Sequence, residues 1–186
     1  MTDTSANRII HATLGLIAER GVGGVTMSDV AREAGVARQT LYNHYPDIES
    51  IVYSAMEAHQ RESLEQLTEL MRTVGSPAGR LEHLLRHTAA VAAHSHPSFK
   101  HGFSSAYREL IAEYDREVRS LIEGALQDGI RDGIFRVNID PAADAVLLHG
   151  IIEATGELVA DNPENASGIV TTASNTVFAA VLSAGV

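Results

Sequence analysis

Between Thr26 and Tyr45 the chain reads TMSDVAREAGVARQTLYNHY, and this stretch constrains the fold more than any other. Thr26 or Ser28 can cap a helix over 28–34, with Asp29 in its first turn, where a negative side chain meets the positive end of the helix dipole. Gly35 breaks that helix and supplies the positive φ of a tight turn. A second helix, 38–44, stops ahead of Pro46, because the residue before a proline disfavours the helical region. Both helices are too short to stand alone and must be held by packing. Ala31 is small where two helices cross, and Val36 and Leu41 face inward. Arg38, Gln39, Thr40, Tyr42, Asn43 and His44 are left facing outward, all with hydrogen-bonding side chains. The pattern fits a helix-turn-helix whose second helix enters the DNA major groove; a solvated helical hairpin is the plainer alternative.

The rest of the chain repeats the helical period and shows no period-two alternation, so few or no strands are expected. Ile10, Leu14 and Ile17, widened by Ile9 and Leu16, predict a helix over 5–20 with Gly21 as its C-cap. Asp47 caps a long helix over 48–72. Further helices are expected over 78–94, 99–102, 104–131, 141–161 and 164–183, with Pro141 in a first turn. The expected fold class is all-α, with about nine helices. A three-helix helix-turn-helix domain occupies 1–46, and a helical ligand-binding and dimerisation domain occupies 47–186.

Charge divides the chain at the same place. The net charge is −10 over 186 residues, which taken whole argues against a nucleic-acid partner. Within 1–46, however, Arg8, Arg20, Arg32 and Arg38 balance Asp3, Glu19, Asp29 and Glu33, so the whole −10 lies beyond. There is no cysteine, which excludes disulfides, thiol nucleophiles and zinc–thiolate sites. No basic segment leads into an apolar run, and no uncharged stretch is apolar enough to span a bilayer; the expectation is a cytoplasmic protein with no membrane partner.

Residues Thr26, Ala31, Ala34-Gly35-Val36, Thr40-Leu41-Tyr42 and His44-Tyr45, preceded by the Ile10/Leu14/Ile17 helix, resemble the tetracycline-repressor (TetR-like) family of bacterial transcriptional regulators. The resemblance covers about residues 5–51. It implies that Arg38 and Gln39 sit where bases are read, arginine suiting guanine and glutamine adenine. It implies that Thr26, Thr40, Tyr42 and His44 grip phosphates. Asn43 could do either, and Ser28 joins the expected DNA-binding set. The family often has a lysine two residues after the position of Pro46, where this chain has Ile48. One charged phosphate contact is therefore missing, although backbone N–H groups at that helix start could still meet a phosphate.

Residues 166–186 contain no charge, which suits a helix buried in its own core or against a partner. The resemblance implies a homodimer through the last two helices, 141–161 and 164–183, so that two recognition helices read a near-palindromic double-stranded operator. The expected interface is Leu148, Ile152, Thr155, Ile169, Val170, Val177, Phe178 and Val181, with Gly150, Ala154 and Gly156 permitting close approach. The resemblance also implies a pocket for a small-molecule effector. Its expected lining is Gln60, His87, Val91, His94, Phe99, Phe103, Tyr107, Leu147 and Ile151, which favours a small, largely apolar ligand. Release of a repressor by that ligand is the expected function.

His83 and His87, four apart, with His94, His96 and His101 nearby, allow a metal-responsive regulator as an alternative. No HExxH motif occurs among them, and no metal site or cofactor is expected. A helical binding protein without DNA-binding activity is the alternative from another class. No GxSxG, Walker A or GxGxxG motif is present, so no catalytic residue is expected and the chain is not read as an enzyme.

Overall fold

The computed structural model describes residues 4–93 and 105–183. It is all-α, as its sequence periodicity predicts. Among the described residues the helices are α1 (Ser5–Arg20), α2 (Met27–Glu33), α3 (Arg38–His44), α4 (Ile48–Thr73), α5 (Pro77–Ala92), α6 (Ser105–Arg131), α7 (Pro141–Asp161) and α8 (Ala166–Val181). The short helix expected over 99–102 lies outside the described residues. Starts are set by capping side chains: Thr4 for α1, Thr26 for α2, Ser76 for α5 and Asp140 for α7 each accept a backbone N–H of the first turn. Pro77 and Pro141 occupy first turns, where a missing N–H costs nothing.

The described residues form two compact units. The first comprises residues 4–63 and 105–111, the second 64–93 and 112–183. Packing in the first unit thus reaches beyond residue 46, since Ile51, Val52 and Met56 of α4 share a core with Ile9, Ile17, Val30 and Leu41. The buried stripe of α1 is Ile9, Thr13, Leu16 and Ile17, while Ile10 and Leu14 are only half-buried. Thr13 can sit inside because its hydroxyl donates to the carbonyl of Ile9 at 2.8 Å. Leu41 is fully buried, and a leucine removed from water contributes roughly 1.5–3 kcal/mol, enough to hold a two-turn helix.

In the second unit, Leu81, Leu84 and Leu85 of α5, Ile122 and Leu126 of α6, Leu148 and Ile152 of α7 and Val177 and Val181 of α8 make one core. Phe135 caps it from the segment after α6, lying over Gly129, where an added Cβ would fall 2.0 Å from the ring. Helix α7 packs against both α5 and α8. No helix of the described residues is long and apolar enough to cross a membrane.

Candidate nucleic-acid interface

Helix α2 begins on Thr26, whose hydroxyl oxygen accepts the N–H of Asp29 at 3.2 Å and donates its proton to the Asp29 carboxylate. The same carboxylate binds Arg32 at 2.7 Å and lies 3.5 Å from Arg20. The Thr26 hydroxyl, helped by the two guanidinium groups, holds the Asp29 carboxyl below the usual range. Thr26 is thus committed as a cap, and it can donate to a phosphate only by giving up Asp29. Ser28, in the first turn of the helix, is exposed. After α2 the chain turns at Gly35, with φ of 62°, and the Val36 N–H closes the turn on the Ala31 carbonyl at 3.0 Å.

Helix α3 buries Leu41 and half-buries Thr40, leaving Arg38, Gln39, Tyr42, Asn43 and His44 exposed. Tyr42 is 53% exposed, a large aromatic surface to leave in water. The Gln39 amide donates to the Asn43 side-chain oxygen at 3.0 Å, so these two act as a pair one helical turn apart. Arg38 makes no ion pair among the described residues, whereas Arg20 and Arg32 are engaged by Asp29.

The start of α4 carries the Asp47 cap that its sequence predicts. The Asp47 carboxylate accepts the N–H of Ser50 at 2.8 Å and its hydroxyl at 2.7 Å, bonds that lower the acid's pKa. One N–H of this helix start is thereby taken by a group that repels phosphate. Ile48, where a lysine is common, is half-buried against the core of the first unit. Nearby, Tyr107 of α6 donates its phenolic proton to the Glu49 carbonyl at 2.7 Å and stacks on Tyr53 with ring centres 5.9 Å apart. Burial, then the charges of Glu49 and Asp47, push its pKa up to about 12. Tyr107 is therefore a core residue of the first unit, correcting its expected place in a pocket wall.

Of the other expected pocket residues, Gln60 and His87 are half-buried on α4 and α5, and Ile151 packs against the core of the second unit. Val91 is 40% and Leu147 66% exposed. Leu147 points to solvent, which corrects its assignment as lining. His94, Phe99 and Phe103 lie outside the described residues. An open groove of about 480 Å³ on α4, lined by Glu65, Gln66, Glu69, Leu70 and Thr73, includes none of these residues.

The expected interface residues are also relocated. Leu148, Ile152, Thr155, Val170, Val177 and Val181 are buried within their own unit, and Ile169 and Phe178 are half-buried against its cores. A side chain already inside the chain cannot face a partner. The Thr155 hydroxyl is satisfied by the Ile151 carbonyl at 2.7 Å. Gly156 faces α5, where an added Cβ would meet Thr88 at 3.1 Å, so its close approach is internal. The outward side of α7 carries Ala143, Val146, Leu147, Gly150, Ala154 and Leu158 together with the charged Glu157 and Asp161, and that of α8 carries Gly168, Thr171, Thr172, Asn175 and Ala179.

The family pattern described as "Bacterial regulatory proteins, tetR family" matches residues 9–55, which span most of α1 through the first turns of α4. The HTH-type transcriptional repressor KstR2 of Rhodococcus jostii (strain RHA1) is 30% identical over 132 residues, covering 67% of this chain and 65% of that protein. Residues 9–55 carry the tetR-family pattern, and that segment belongs to the family. Reduced NemR of E. coli superimposes with a TM-score of 0.83 over 98% of this chain and 99% of that one, at 16% identity. FadR of Bacillus subtilis in complex with stearoyl-CoA gives 0.75 over 92% and 95%, at 22% identity. These two likenesses show a shared fold. The KstR2 match spans just under two thirds of that repressor's length. The relatives are transcriptional regulators rather than enzymes.

The expected histidine cluster does not provide a convergent metal site among the described residues. The His83 ring nitrogen lies 2.8 Å from the carbonyl of Gly79 on its own helix, and His94, His96 and His101 fall outside the described residues. The group whose ligand atoms do converge is Asp115, His149 and Glu153, within 4.8 Å of one another. Sequence reasoning missed it. The spacing of His149 and Glu153, four apart on α7, was a signal that could have found it.

Proposed function

We propose that the chain is a homodimeric, sequence-specific DNA-binding repressor that a small, largely apolar effector releases from its operator. The observation that carries this reading is α3. Its one apolar anchor, Leu41, is fully buried, while Arg38, Gln39, Tyr42, Asn43 and His44 stand exposed. A short helix held from behind, with hydrogen-bonding side chains in front, suits the edge of a base pair. Arg38 and the Gln39–Asn43 pair read bases, and Ser28, Thr40, Tyr42 and His44 hold phosphates and set register.

The outward stripes of α7 and α8 support a two-fold dimer. That of α7 exposes Val146, Leu147 and Leu158 with only Glu157 and Asp161 charged, that of α8 is uncharged, and an exposed apolar surface is stabilised when a partner covers it. The dimer sets two recognition helices about 34–36 Å apart, one turn of DNA. An apolar effector is in keeping with the stearoyl-CoA held by the Bacillus FadR of the same fold. Helix α4 contributes residues to both compact units, which suits a population shift. A ligand that favours the released state a hundredfold biases the equilibrium by about 2.7 kcal/mol.

Replacing Tyr42 and His44 together by alanine tests the reading. Operator affinity should fall at least about tenfold for two lost phosphate contacts, with circular dichroism and thermal midpoint unchanged. Unaltered affinity in the folded double variant would contradict it.

A further inference from the structure

We propose that Asp115, His149 and Glu153 form a binding site for a divalent metal ion of the Zn²⁺ type, clamping α6 to α7; the proposal does not depend on the DNA-binding reading. Asp115 comes from α6 and the other two from α7, where a spacing of four sets His149 and Glu153 on one face. All three belong to the second compact unit.

The second, independent observation is His149 itself. Its side chain is only 7% exposed, and its ring makes no hydrogen bond with any described residue. Instead Nε2 lies 3.7 Å from an Asp115 oxygen and Nδ1 lies 3.9 Å from a Glu153 oxygen. Both distances are too long for a hydrogen bond. A buried imidazole flanked on both sides by carboxylates, beyond hydrogen-bond reach of either, is placed to share a cation with them.

A metal ion supplies them. Zinc binds imidazole nitrogen at about 2.0–2.1 Å and carboxylate oxygen at about 2.0–2.2 Å, so neighbouring ligand atoms of a tetrahedral site stand roughly 3.3 Å apart. The observed separations approach this within modest side-chain rotations. One nitrogen and two carboxylate oxygens suit a borderline ion better than Mg²⁺ or Ca²⁺, which prefer all-oxygen sites, and no thiolate is present to favour a softer one. Three protein ligands leave one position for water.

Full-length protein, stripped with a chelator, should be titrated with Zn²⁺ by calorimetry and by thermal melting. One saturable equivalent per chain and a raised melting temperature are expected. His149→Gln should weaken binding at least about tenfold. Asp115→Asn, at a partly exposed carboxylate, should do the same and serves if the buried replacement fails to fold. His83→Ala, on an exposed surface histidine, should leave the affinity unchanged. Absence of a saturable site, or a Zn²⁺ affinity that Asp115→Asn leaves untouched, would overturn the proposal.

Discussion

The phenolic oxygen of Tyr107 lies 2.7 Å from the main-chain oxygen of Glu49 and donates its proton to it. The bond ties the beginning of α6 to the first turn of α4, four residues beyond Tyr45, where the recognition helix ends. Replacing Tyr107 by phenylalanine keeps the ring and removes the donor. It should lower stability by about 1 kcal/mol. The pKa of about 12 adds a pH signature. The folded state holds the phenol proton more tightly than the unfolded chain, whose tyrosine ionises near 10. The stabilisation is therefore complete below pH 10 and is lost as pH rises to about 12. Melting curves across this range should show the wild-type advantage over Tyr107→Phe disappearing.

Gly129 is a second position where one contact decides the sign of an effect. On helix propensity alone, Gly129→Ala should stabilise α6 by up to about 1 kcal/mol. The Phe135 ring, 2.0 Å from the new Cβ, forbids that gain. Chemical denaturation should show a loss of about 1–3 kcal/mol, the range for an overpacked core.

Ile48 and Asp47 give the start of α4 an unfavourable electrostatic character for phosphate. Binding to DNA should lean on neutral hydrogen bonds and depend only shallowly on salt. Ile48→Lys should restore a charged contact and steepen the log–log salt dependence by about 0.9 for each phosphate engaged. Operator affinities over a range of salt concentrations check this.

Leu147 and Leu148 are neighbours with opposite environments, 66% and 3% exposed. Leu147→Glu should leave the monomer folded and shift sedimentation toward the monomer. Leu148→Glu should instead destabilise the fold by several kcal/mol, because it buries an unpaired charge. Equal oligomerisation in wild type and Leu147→Glu would move the interface elsewhere.

These pairs mark how far sequence reasoning reached. Helix α3 and the turn before it were legible because their signals agree: Gly35 has the required positive φ, Leu41 is the buried anchor and most polar residues of α3 are outside. The α7 and α8 faces were not, because leucines and valines stand on both sides of α7 and α8 has no charge to mark its outer side. Periodicity separates a core-facing stripe from one awaiting a partner only where the outer side is clearly charged. Thr13 escaped notice because a hydroxyl reads as polar, and only its bond to the Ile9 carbonyl shows that burial is satisfied. The role of Tyr107 depends on a contact 58 residues away in sequence, which no local pattern records.

The most direct test is selection of bound duplexes from a random DNA pool by the purified full-length protein at low salt. Two inverted half-sites centred about 10–10.5 base pairs apart should be enriched, and Arg38→Ala should relax preference at a guanine within each. No enrichment by protein shown to be folded, or a consensus indifferent to Arg38, Gln39 and Asn43, would contradict the assignment of α3 as the reading helix.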